Sequence, residues 1–231
     1  MRKAPLFPVL AVLAAAVVLT IYYLYSQPFA FGQDQSAEDE AATTPLDQPT
    51  VDYANPAIGP VNAKVTIVEF GDYICSPCAT LDSDLIKLTN EYPDEVRLVW
   101  KDLPNELSHP GSSLAAIAGR CAGLQDEFWR YHKLLMAGQA GGDQAAYVQA
   151  AVLIGLDEQS FHDCLQEEQS KPLVQRDLTE GLRLRIDATP YLFVNDRRFS
   201  GAISYDLLKN IVEGEINQAD AAAASGGTDS E

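Results

Sequence analysis

The chain has 231 residues, with 33 Asp and Glu against 16 Lys and Arg and a formal net charge of −17. That length holds one domain of ordinary size plus appendages. With no basic patch and no basic-aromatic interleaving, the composition excludes an electrostatic nucleic-acid binder; the acidic balance reads as a solvated surface or as adaptation to high salt.

Arg2 and Lys3 precede Leu6–Tyr25, a run of 20 residues without a charge. A helix of that length, at about 1.5 Å per residue, spans about 30 Å of hydrocarbon. Nothing basic follows it until Lys64, so the N-terminus is expected in the cytoplasm and the rest of the chain outside. Residues 1–25 therefore read as a cytoplasmic stub and a transmembrane signal-anchor, with Tyr22, Tyr23 and Tyr25 at the interface. A cleaved signal peptide is the alternative, and the length of the run argues against it. Both readings put the body in an extracytoplasmic (periplasmic) space, where disulfides persist. Residues 26–54, acidic and interrupted by Pro45 and Pro49, read as a linker. A domain over 55–218 and a disordered tail over 219–231 complete the organisation.

Within the body, Val65–Phe70 is a β-branched, apolar run and the first predicted strand. A helix is expected from Ser76 or Pro77 to Tyr92, with Leu81, Leu85, Ile86 and Leu88 as its apolar stripe. Val96–Trp100 is a second strand. Five helices are then predicted over 112–124, 126–137, 143–154, 158–168 and 172–186. Strands 190–194 and 197–201 flank Asn195-Asp196, a favourable two-residue turn, and an amphipathic helix covers 205–216. The order β-α-β, helical block, β-β-α implies an α/β fold: one mixed sheet flanked by helices, with a helical lobe inserted at about 110–186.

The chemistry concentrates at Cys75-Ser76-Pro77-Cys78, between the first strand and its helix. A helix N-terminus stabilises a thiolate, the reactive form of cysteine, and this spacing lets one thiol resolve a mixed disulfide formed by the other. A CxxC is also half of many zinc sites. No suitably spaced Cys or His completes one, since His109, His132 and His162 form no paired motif, so no metal is expected. No phosphate-binding glycine pattern appears either, and no cofactor is implied.

Four stretches carry a family likeness: Val68–Cys78 (VEFGDYICSPC); Leu103–Pro110 (LPNELSHP); Cys121-Ala122-Gly123 with Phe128–His132 (FWRYH); and Ala188–Asn195 (ATPYLFVN) with Phe199-Ser200-Gly201. Together these resemble the DsbA-like thiol–disulfide oxidoreductases of the thioredoxin fold, in their membrane-anchored bacterial branch. Between the cysteines the type member carries Pro-His; here Ser76-Pro77 stands closer to the Gly-Pro of thioredoxin.

The resemblance implies an oxidase of exported proteins, with Cys75 as the exposed nucleophile and Cys78 as the buried resolving thiol; a membrane-tethered reductase or isomerase, or a non-catalytic binding or chaperone module, is the alternative. It implies that Thr189-Pro190 is a cis-proline loop facing the cysteines, with Ser76, Pro77 and Thr189 against the substrate; an ordinary trans proline opening a strand is the alternative. It implies that Glu69 moves the proton of the buried thiol, the alternative being an outward surface glutamate. A quinone-linked membrane partner that reoxidises the enzyme is implied as well. The four cysteines allow three pairings, among which the sequence does not choose. With the CxxC given to the active site, a structural disulfide between Cys121 and Cys164 is expected, two buried free thiols being the alternative. His109 reads as a loop or capping residue, and Phe128, Trp129, Tyr131 and Leu135 as core.

Overall fold

A computed structural model describes residues 16–23 and 44–226, in two units divided between Thr43 and Thr44. In the first unit, residues 16–23 are helical and exposed. Most of the expected anchor, Leu6–Tyr25, lies outside the described residues, as do residues 24–43 of the linker and 227–231 of the tail. Among the described residues no helix is long and apolar enough to cross a membrane.

Among its described residues the second unit has five strands: β1 (Ala57–Ile58), β2 (Val65–Gly71), β3 (Val96–Asp102), β4 (Tyr191–Val194) and β5 (Arg197–Ser200). Its helices are α1 (Ser76–Glu91), α2 (Ser112–Gly123), α3 (Phe128–Met136), α4 (Gln144–Leu153), α5 (Glu158–Gln166), α6 (Lys171–Arg183) and α7 (Tyr205–Gly226). The sheet runs β1-β3-β2-β4-β5, with β2 and β3 parallel and the other pairs antiparallel. This is the expected mixed sheet, with α2–α6 inserted between β3 and β4 as the helical lobe.

Alternation along β2 sorts its side chains between two cores. Val65 and Ile67 join Leu81, Leu85 and Leu88 of α1 and Leu208 and Val212 of α7. Val68 and Phe70 join Val99, Phe193, Leu184 and Ile186 on the opposite face. Glu69 shares parity with Val65 and Ile67, so it belongs to the face that α1 covers. α1 begins where Cys75 occupies its N-cap and Pro77 fills the first turn, where a missing N–H is harmless. The lobe has a core of its own around Ile117, Tyr131, Tyr147 and Phe161, and Trp100 and Tyr73 reach into it from the sheet side.

The expected Cys121–Cys164 disulfide is present, with 5.9 Å between Cα atoms, and it ties α2 to α5. At the β4–β5 turn Asn195 takes a positive φ of 48°, which Asn tolerates, and its Oδ1 accepts from Thr66 N at 2.9 Å. A buried charge cluster joins β3 to the lobe: Lys101 bonds Glu180 (2.5 Å), and Arg120 bonds Asp102 and Asp177 (both 2.5 Å).

Two terminal segments differ from the sequence reading. Residues 44–52, placed in the linker by composition, lie against the body: Leu46 N donates to Arg183 O (3.0 Å), Thr50 Oγ1 donates to Glu180 (2.8 Å) and Arg176 pairs with Asp52 (3.1 Å). The tail is helical as far as Gly226, because the Ala221–Ala224 run is a strong helix former and Lys64 pairs with Asp220 at 2.7 Å.

Candidate active site

The turn between β2 and α1 is built by one buried carboxylate. Asp72 is 1 % exposed, and its Oδ1 accepts from Ile74 N (2.9 Å). Its Oδ2 accepts from Asn105 N (3.0 Å) and lies 2.8 Å from His109 Nδ1. His109 thus holds the loop after β3 against the active-site turn, in keeping with a loop residue. Gly71, the last residue of β2, is forced by a close approach: a Cβ there would lie 2.3 Å from the Trp100 ring.

Cys75 and Cys78 are both free thiols. Cys78 lies one turn into α1 with no exposed surface, and burial pushes its thiol well up from its ordinary pKa. Cys75 differs from expectation: it is 4 % exposed, not an open thiol. The cause is the loop opposite. The Thr189-Pro190 bond is cis, as the resemblance implies, and Cys75 Sγ donates to Thr189 O at 3.6 Å. Access comes from the side, through a groove of about 430 Å³ lined by Ile74, Cys75, Ser76 and Met136 among others.

Glu69 lies inside the protein, with no exposed surface and no hydrogen-bond partner for either carboxylate oxygen among the described residues. The surface-glutamate alternative is therefore wrong. Burial raises its pKa well above the ordinary carboxylate range, and the charges of Asp82 and Cys75 add to that shift. Glu69 thus sits on the α1 face of β2, where burial disfavours its ionised form, within electrostatic reach of Cys75.

The sequence reading missed the neighbours of this acid. His132, read there as part of the Phe128–His132 stretch and as unable to complete a metal site, is 1 % exposed and bridges two elements. Its Nε2 lies 2.8 Å from Asp82 Oδ1 on α1, and its Nδ1 lies 2.9 Å from the Tyr73 hydroxyl, two residues before Cys75. Trp100 packs edge-on against the imidazole, with centroids 4.7 Å apart. The Asp82–His132–Tyr73 chain thereby ties the lobe to both sides of the CxxC. The available signal was positional: Asp82 falls within the buried stripe of α1, and His132 within that of α3. No group of metal-ligating side chains occurs among the described residues. Cys121 and Cys164 belong to the lobe core and take no part in the site.

Comparison with known proteins agrees with this geometry. The thioredoxin family model matches residues 52–214. The Na(+)/H(+) antiporter NhaA 1 of Salinispora arenicola is 32 % identical over 154 residues, covering 67 % of this chain but 24 % of the antiporter. The chain thus spans about a quarter of the length of that relative. Disulfide bond formation protein D of Bacillus subtilis is 28 % identical over 179 residues, covering 73 % of this chain and 80 % of that protein. The crystal structure of oxidised BdbD from Bacillus subtilis superposes with a TM-score of 0.65 at 27 % identity, covering 75 % of this chain and 98 % of that one. Fold, cysteine placement and relatives converge: the chain belongs to the thioredoxin family and, within it, to the DsbA-like thiol–disulfide oxidoreductase group.

Proposed function

We propose that the protein is an extracytoplasmic oxidase that passes its Cys75–Cys78 disulfide to exported proteins carrying free thiols. One observation carries the reading: Cys75, at the N-cap of α1, faces the carbonyl of Thr189 in a cis Thr189-Pro190 loop, with Cys78 buried behind it. A substrate thiolate attacks Cys75 Sγ of the oxidised pair. The Cys75–Cys78 bond breaks, a substrate–Cys75 disulfide forms, and Cys78 leaves as a thiolate. Glu69, held neutral by burial, donates the proton that Cys78 takes up. A second substrate thiolate then attacks the substrate sulfur of the mixed disulfide and releases Cys75. The substrate loses two electrons and two protons, and the protein gains them. Ser76, Pro77 and Thr189 border the sulfur and meet the substrate chain.

Reoxidation requires an acceptor of two electrons and two protons, for which a quinone-linked membrane partner is the reading the family suggests. The apolar run Leu6–Tyr25 supports a single membrane span with the domain outside the cytoplasm. The thioredoxin-like Pro77 favours a second reading, a tethered reductase. The Cys75→Ser variant is expected to lose disulfide transfer to a reduced test protein, and full retained activity would overturn the mechanism. Equilibration of the Cys75–Cys78 pair with glutathione separates the two directions. A potential near about −120 mV supports the oxidase, and one near about −270 mV the reductase.

A further inference from the structure

Two grooves of different character border the site, one lined by Cys75 and the other by Thr189, whose carbonyl accepts from Cys75 Sγ. On the lobe side, the 430 Å³ groove is lined by Ile74, Leu135, Met136, Gly138 and Tyr147, with no carboxylate and no cation. On the far side of the Thr189 carbonyl, a cleft of about 230 Å³ has Leu103, Leu107 and Ile186 on its apolar side. Its charged groups are Glu106 and Asp187, and again no Lys, Arg or His lines it. Glu106 accepts backbone N–H bonds from Gly111 (2.9 Å) and Ser113 (2.6 Å), which hold its carboxyl below the usual range and keep it ionised. Asp187 is exposed, and among the described residues no hydrogen bond or ion pair engages its carboxylate. Leu107 beside them is 99 % exposed, and Ile74 on the opposite rim is 43 % exposed.

We infer that the site selects substrate cysteines flanked by an apolar residue on one side and a Lys or Arg on the other. This rests on the oxidase reading and names its substrate class. An extended chain lying across Cys75 and Thr189 sends one flank into the uncharged groove and the other past Asp187 and Glu106. A substrate cation in this cleft meets two carboxylates and, among the residues that line it, no positive group. A substrate ammonium reaches one of these carboxylates at a time at contact distance, and that attraction in water is about 1 kcal/mol, about fivefold in rate. A substrate carboxylate on the same flank is repelled by a comparable factor.

The test is single-turnover reduction of the oxidised full-length chain by short dithiol peptides. They differ only at the residues beside the attacking cysteine: Lys, Gln or Glu on one flank and Leu on the other, in both orders. Each rate is divided by that of the same peptide with a neutral small disulfide, which removes the effect of the flank on the peptide's own thiolate fraction. The expected result is a Lys-to-Gln ratio of about fivefold in one of the two orders, shrinking when salt is raised to about 0.5 M. Asp187→Lys should bring that ratio to one or below. Normalised rates that are equal for Lys, Gln and Glu in both orders overturn the inference and leave the oxidase reading standing. Failure of every peptide to reduce the Cys75–Cys78 pair overturns the oxidase reading, and the inference with it.

Discussion

Replacing Glu69 by Gln should make the dithiol protein more stable, by an amount that grows with pH. The side chain has no exposed surface and, among the described residues, no hydrogen-bond partner, and its pKa is raised well above normal by burial. Above the ordinary Glu pKa of about 4.3 the unfolded chain releases this proton while the folded chain keeps it. The folded state then binds one proton more, so unfolding free energy falls as pH rises, by up to about 1.4 kcal/mol per pH unit. The loss continues until pH passes the raised folded-state value. Gln cannot ionise and is nearly isosteric, so the variant lacks this slope. Urea unfolding of both proteins, kept reduced and followed from about pH 5 to 8, measures the difference directly. The two curves should diverge upward from the acid end, with the variant the more stable. Parallel curves would refute the reasoning and would mean that Glu69 ionises in the folded state as easily as in water.

Removing the lobe disulfide by Cys121→Ser with Cys164→Ser should lower stability by about 4 kcal/mol in the loop-entropy model, given the 43-residue separation. Thermal unfolding of the double variant checks this, and disulfide transfer by the folded fraction should persist, since neither residue touches the site. His132→Leu should cost about 2–5 kcal/mol, because it leaves the Tyr73 hydroxyl and the Asp82 carboxylate buried without their shared partner. Denaturant titration reads that loss, and a change below about 0.5 kcal/mol would remove the bridge from the list of significant contacts.

What was legible in the chain follows from the range over which each signal acts. The strand before Cys75, the stripe of α1 and the Asn195-Asp196 turn are local patterns, and each forms close to where the sequence places it. The CxxC stood out because both cysteines and the helix start lie within one short stretch. Glu69 was legible as an anomaly, a charge inside an apolar alternation. The Asp82–His132 pair was not, because its members are 50 residues apart and meet only when α3 packs on α1. Strand β1 has two residues, too few for any periodicity to register. Cys75 read as exposed because nothing in the sequence reports how closely a loop more than 110 residues away closes over it.

The segment 44–52 carries a consequence for where this domain begins. The family match starts at residue 52, and linker-like composition suggests an even later start. Yet Leu46 packs against the Val68–Phe193 core, and Thr50 supplies both a backbone N–H and a hydroxyl to Glu180, the same carboxylate that neutralises buried Lys101. A boundary drawn by ancestry would therefore cut through a folding unit. The residues just ahead of the matched region act as an external brace, and Thr50 supplies two donors to one end of the buried charge cluster.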